Sequence, residues 1–172
     1  MRSVALGVAL VATAAGCSVD NTAPTTAQLR TLDLDSFACD VQPVLVRRCS
    51  MLACHGQAGH ALRLYSPGKL RLGAARTLVQ RDAPLTDDEL HANYCSARGL
   101  APANDPTDAT VLLHKTLAPA VGGGEHKGGV IFRSLDDPDY QKIRGWLDGK
   151  VQGPLPAGGC GPLMAHEEEG CS

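Results

Sequence analysis

The chain has 172 residues, with 16 Lys and Arg against 18 Asp and Glu and a formal charge of −2, a length that fits one domain. No basic patch stands out, which argues against nucleic acid as a partner. Two Phe, three Tyr and one Trp stand against 19 Gly and 11 Pro, a composition that has difficulty closing a core from side chains alone and that a buried apolar cofactor would relieve.

Residues 1–16 read as a secretion signal. Arg2 supplies the positive start, and Val4 to Ala14 is an uncharged apolar run too short to span a bilayer. The run ends Ala14-Ala15-Gly16-Cys17, which resembles a bacterial lipobox with Cys17 as the lipidated first residue of the mature chain. Ser18 follows where an inner-membrane retention signal would place Asp, so the expected location is the outer membrane, lipid-anchored and facing the periplasm. Without residues 1–16, 156 residues remain at a charge of −3, since only Arg2 is lost. Residues 17–35 are rich in Thr, Ala, Asp and Asn and read as a flexible tether.

A domain over 36–150 is expected to follow. Its first helix is placed over about 37–48, capped by Ser36, or starting near Val41 if Pro43 marks its first turn. Either way the helix delivers Cys49. Leu62-Arg63-Leu64-Tyr65 reads as extended and is cut short by Ser66-Pro67-Gly68. Thr86-Asp87-Asp88-Glu89 has the form of a capping box and predicts a helix to about Ala97, ended by Gly99. A short helix is expected over Asp108 to Lys115, then an almost structureless stretch over 118–131. Asp137-Pro138 starts the clearest helix, with Tyr140, Ile143, Trp146 and Leu147 on one face and Gly149 at its end. Residues 151–172 form a Gly/Pro-rich tail. With no internal repeat and no strand set sufficient for a sheet, the fold class is all-α with long loops.

The chemistry lies in Cys49-Ser50-Met51-Leu52-Ala53-Cys54-His55. Two thiols with His directly after the second are what covalent haem attachment requires: Cys49 and Cys54 add to the vinyl groups, and His55 takes the iron. Four residues separate the cysteines where two are usual. A Cys49–Cys54 disulfide and a zinc site are the alternatives. On the haem reading Cys39, Cys95, Cys160 and Cys171 remain for two disulfides, expected as Cys39–Cys95 and Cys160–Cys171, the latter pinning the tail. The sixth iron ligand is sought in Gly122-Gly123-Gly124-Glu125-His126-Lys127-Gly128-Gly129, where glycines let the backbone approach a flat group closely. His126 is the candidate, with Met164 in the tail as its competitor; Met51 lies too close to the attachment site. Two imidazoles on one iron place their coordinating nitrogens about 4 Å apart. His60, His91 and His114 are taken as surface or helix-side residues. Lys127, Arg63 and Arg71 are candidates to neutralise the haem propionates.

Phe37-Ala38-Cys39-Asp40-Val41-Gln42-Pro43-Val44-Leu45, followed by Cys49…Cys54-His55-Gly56, resembles the opening of cytochrome c-like lipoproteins of environmental bacteria, including myxobacteria and planctomycetes. Gly123 to Gly129 and Tyr140…Ile143…Trp146-Leu147…Gly149 resemble their closing segment. The resemblance implies a monohaem class I-type domain whose first and last helices cross. By that likeness His55 is the proximal ligand, Cys49 and Cys54 form the thioethers, and Trp146 packs near the helix crossing or the haem edge. The function implied is one-electron transfer with a redox partner protein, not enzymatic catalysis. A haem enzyme or sensor would need His126 away from the iron. A haem-free, disulfide-stabilised interaction module would need Cys49 and Cys54 bonded to each other or to Cys39 and Cys95.

Overall fold

Pro43 shapes the first helical segment. Proline has no N–H to give and clashes with the carbonyl one turn back, so a regular helix cannot run through it undisturbed. In the computed structural model, which describes residues 29–73 and 77–150 together with Cys160 and Cys171, the chain answers with a wider turn. Helix α1 (Leu34–Ser36) passes into a π-helical turn, Phe37–Val41, and then into α2 (Gln42–Arg48) with Pro43 in its first turn. The Gln42 amide reaches back to the Phe37 carbonyl, the five-residue step of a π bulge. The cap is Asp33, whose carboxylate accepts from the Ser36 amide at 2.6 Å, rather than Ser36.

Downstream come α3 (Leu78–Asp82), α4 (Asp87–Arg98), α5 (Val111–His114) and α6 (Pro138–Leu147), with 3₁₀ turns at Thr107–Ala109 and Pro119–Val121. Among the described residues there is no strand, only isolated bridges between Leu29 and Pro102 and between Leu117 and Phe132. The fold is all-α. No helix of the described residues is long and apolar enough to cross a membrane. The capping box of Thr86 and Glu89 and the Asp137 cap form as the sequence predicts. Helix α3, with its own capping box of Thr77 and Gln80, was not expected.

The first and last helical segments meet through aromatic rings. Phe37 and Trp146 lie 5.2 Å apart between centroids, and Tyr94 of α4 stands edge-on to Phe37 at 5.6 Å. Trp146 donates its indole N–H to the Asp33 carbonyl at 2.9 Å. Arg47 and Arg48 both reach Asp139, at 2.6 and 2.8 Å, joining the end of α2 to the start of α6. Residues 29–35, assigned to the tether by composition, belong to the packed body. Arg30 donates to the carbonyls of Pro102, Leu147 and Asp105, and Leu32 is buried with its carbonyl taken by Tyr94.

The disulfide pairing differs from expectation. Cys39 pairs with Cys160, and Cys95 with Cys171. Each bond ties one C-terminal cysteine to one helical segment of the core, whereas the expected pairing would have closed the tail on itself. All four cysteines are used, in the other partnership.

Between α3 and α4 a buried ion pair organises the loop. The side chains of Arg71 and Glu89 are 8% and 2% exposed and meet at 2.7 Å. Arg71 also donates to the carbonyls of Gln80, Arg81, Ala83 and Pro84. Arg71 is therefore committed inside the fold and is not a propionate partner. Burial alone would raise the Glu89 pKa, but donation from Arg71 and from the Thr86 and Leu72 amides brings it below its ordinary range. A carboxyl depressed in the folded state contributes stability above its unfolded pKa of about 4.3, and that contribution is lost as pH falls through the folded value. Breaking the pair with Arg71→Met is expected to cost about 3–5 kcal/mol, because the remaining charge is buried alone. Urea midpoints measured between about pH 3 and pH 7 should show a shallower acid decline in Glu89→Gln than in the parent chain.

Candidate functional site

The site is built from two loops brought face to face. The first follows α2. Cys49 closes that helix with its amide on the Leu45 carbonyl, and the chain then turns tightly through Met51, Cys54 and Gly56. The turn has no room to spare. A Cβ on Gly56 would lie 2.1 Å from the Ser50 carbonyl oxygen, so glycine directly after His55 is a packing requirement. Ser50 is fully buried, donates to the Val46 carbonyl at 2.6 Å and accepts from Lys69 Nζ at 2.8 Å, which fixes the end of α2. His55 Nδ1 lies 2.8 Å from the Leu62 carbonyl.

The second loop is the glycine-rich stretch, and it is far from structureless. Its ends are closed by the Ile131 and Phe132 amides on the Thr116 carbonyl and by Ala118 N–H on the Phe132 carbonyl. Inside, Gly124 N–H donates to the His114 carbonyl at 2.7 Å. A Cβ on Gly123 would fall 1.9 Å from the Leu117 carbonyl oxygen, and Gly129 has φ +84°. These two positions require glycine. The loop presents His126, whose Nδ1 is 3.0 Å from the Gly129 carbonyl.

The two loops bring the imidazoles of His55 and His126 side by side. Their ring centres are 5.9 Å apart with planes tilted by 35°. In each ring Nδ1 faces a main-chain carbonyl, so the proton sits there and the Nε2 lone pair is left for a ligand. Two metal–nitrogen bonds of about 2 Å plus about 1 Å from each nitrogen to its ring centre give roughly 6 Å, so the spacing fits one metal between them. Burial pushes the His55 pKa down, and the neighbouring His126 and His60 push the same way against the Leu62 carbonyl. The neutral ring that results is the ligating form.

The space beside the rings is an apolar slot. Leu45, Leu62, Leu112, Phe132 and Ile143 line it together with Cys49, Cys54, His55 and His126. Cys49 and Cys54 are unpaired, while the other four described cysteines form disulfides. A single-ion zinc centre does not fit. Among the described residues, the group of three or more donors within 4.8 Å of one another is His91, Cys95 and Cys171, and it includes neither motif cysteine. Thioether attachment has no such requirement, because the sulfurs bond to the rim of the macrocycle and not to its metal.

Other expected residues fall elsewhere. Trp146 sits at the helix crossing and not among the slot residues. Lys127 stands at the outer mouth with His126, and Arg63 lies over the Tyr65 ring at 5.5 Å. Cys17 and Met164 lie outside the described residues. Two residues of the site were missed. Arg48 lines the slot while paired with Asp139, and its place next to Cys49 was the available signal. His60 packs edge-on to His55 at 5.7 Å, a placement set by a loop with no readable pattern. No family model, no curated protein and no solved structure matches the chain.

Burial raises the Cys49 thiol to about 11, and Cys54 beside it adds to the effect. Cys54 is half-buried. In chain made without haem maturation, iodoacetamide at about pH 8 is expected to label Cys54 well ahead of Cys49, because the thiolate is the reactive form. Peptide mass spectrometry after timed quenching checks the order. Equal labelling would show that Cys49 is not buried.

Proposed function

We propose that the chain is a c-type cytochrome, with haem attached through Cys49 and Cys54 and the iron held between His55 and His126. The observation that carries the proposal is the opposition of two imidazoles 5.9 Å apart beside an apolar slot that contains two unpaired cysteines. Haem bound there would supply a one-electron iron couple. The residues of the chain hold both imidazoles in their ligating tautomer through Leu62 and Gly129 and exclude water with Leu45, Phe132 and Ile143. Ligation by two histidines favours a lower reduction potential than a histidine–methionine pair. The proposed setting is the cell envelope: a lipid on Cys17, the outer membrane, the periplasmic face, and a redox partner protein.

The test is expression in a periplasm equipped with haem-attachment machinery, followed by an absorption spectrum in alkaline pyridine with dithionite. One c-type haem per chain is expected. His126→Ala should keep the covalent haem, lose the low-spin spectrum of two imidazoles, and recover it with added imidazole. A chain that carries no haem under these conditions would overturn the reading. A haem-loaded His126→Ala with an unchanged spectrum would overturn the ligand assignment alone and turn attention to Met164.

A further inference from the structure

The second disulfide, Cys95–Cys171, lies outside the slot and has a chemical setting of its own. Cys95 is on α4, and His91, one helical turn earlier, places Nε2 3.7 Å from Cys95 Sγ. On the other sulfur, the Arg98 guanidinium places Nη1 3.7 Å from Cys171 Sγ. Nε2 of His91 and the two sulfurs all lie within 4.8 Å of one another. The bond lines a cleft with His60, Ala61, Arg63 and His91, and both of its cysteines are half-buried. Cys39–Cys160 has no described basic side chain at either sulfur, although Cys160 is the more exposed cysteine.

Thiol–disulfide exchange needs an attacking thiolate and a sulfur that leaves readily as a thiolate; a base beside the attacked sulfur favours the first, and a cation beside the other sulfur favours the second. Each half of this bond has one such group. We propose that Cys95–Cys171 is an exchangeable disulfide, opened by a dithiol reductant, with His91 acting on the incoming thiol and Arg98 on the departing sulfur. His91 takes the proton of the first reductant thiol as its sulfur attacks Cys95 Sγ. The Cys95–Cys171 bond breaks, and the electron pair leaves on Cys171 as a thiolate beside Arg98. The second reductant thiol then attacks the reductant's own sulfur in the mixed disulfide. Cys95 is released and takes the proton back from His91, while the proton of the second thiol goes to Cys171. The protein gains two thiols, and the reductant leaves as its disulfide. The role does not depend on haem.

The experiment exposes the oxidised full chain to dithiothreitol with a chelator present, traps thiols at timed intervals and assigns them by peptide mass spectrometry. Cys95–Cys171 is expected to open before Cys39–Cys160. His91→Ala and Arg98→Met should each slow that opening by about tenfold and leave the Cys39–Cys160 rate unchanged. A variant that merely loosened the fold would speed opening, the opposite sign, so misfolding cannot imitate the result. Earlier opening of Cys39–Cys160, or an unchanged or faster Cys95–Cys171 rate in both variants, would overturn the proposal.

Discussion

Two main-chain carbonyls, those of Leu62 and Gly129, orient the two histidines of the candidate site. Each takes Nδ1 of one histidine, and the two rings lie 5.9 Å apart between centres. The arrangement lasts only if both loops are held in place. Much of the rest of the fold meets that need. Ser50 and Lys69 fix the end of α2. Asn93 of α4 bonds both the amide and the carbonyl of Tyr65, and Ser96 takes the Arg63 amide, so α4 fixes the segment that carries Leu62. The Arg71–Glu89 pair in turn fixes the start of α4. Burial of His55 among apolar neighbours then keeps its ring neutral.

The shortage of aromatic side chains is met by concentrating them. Phe37, Tyr94 and Trp146 form one cluster where the first and last helical segments meet, and Phe132 and Tyr140 form a second. Aromatic pairs at these separations add to the apolar burial they already supply. Phe132 is the member of either cluster that faces the slot, so the body of the protein is closed largely without drawing on the space between the imidazoles. Arg48 links the two regions, with its guanidinium on Asp139 and 5.8 Å from the Phe132 ring centre.

Local signals in the chain were legible, and long-range ones were not. Thr86 with Glu89, and Asp137 with Pro138, are short-range chemistry, and both helices start where those residues place them. His126 could be singled out because a lone imidazole among five glycines is a local anomaly. The structure of its loop could not be, since it rests on Thr116, Ala118 and His114 accepting bonds from residues up to sixteen positions away. Arg71 read as a candidate propionate partner because nothing near it in sequence shows Glu89 eighteen residues on. The π turn before Pro43 is a compromise between proline sterics and the burial of Phe37 and Val41, which only packing resolves. Disulfide partners were the least legible, since spacing favours neighbours and the fold chose distant pairs.

Those distant pairs bear on biogenesis. Cys39 and Cys95 find their partners 121 and 76 residues later. Synthesis runs from the N-terminus, so the thiols at 39, 49, 54 and 95 are made before either correct partner exists. Pairing in order of synthesis would join the wrong cysteines and consume Cys49 and Cys54, which the fold leaves unpaired. Correct pairing in this chain therefore depends on keeping its early thiols reduced, or on reshuffling premature bonds, until Cys160 and Cys171 have been made.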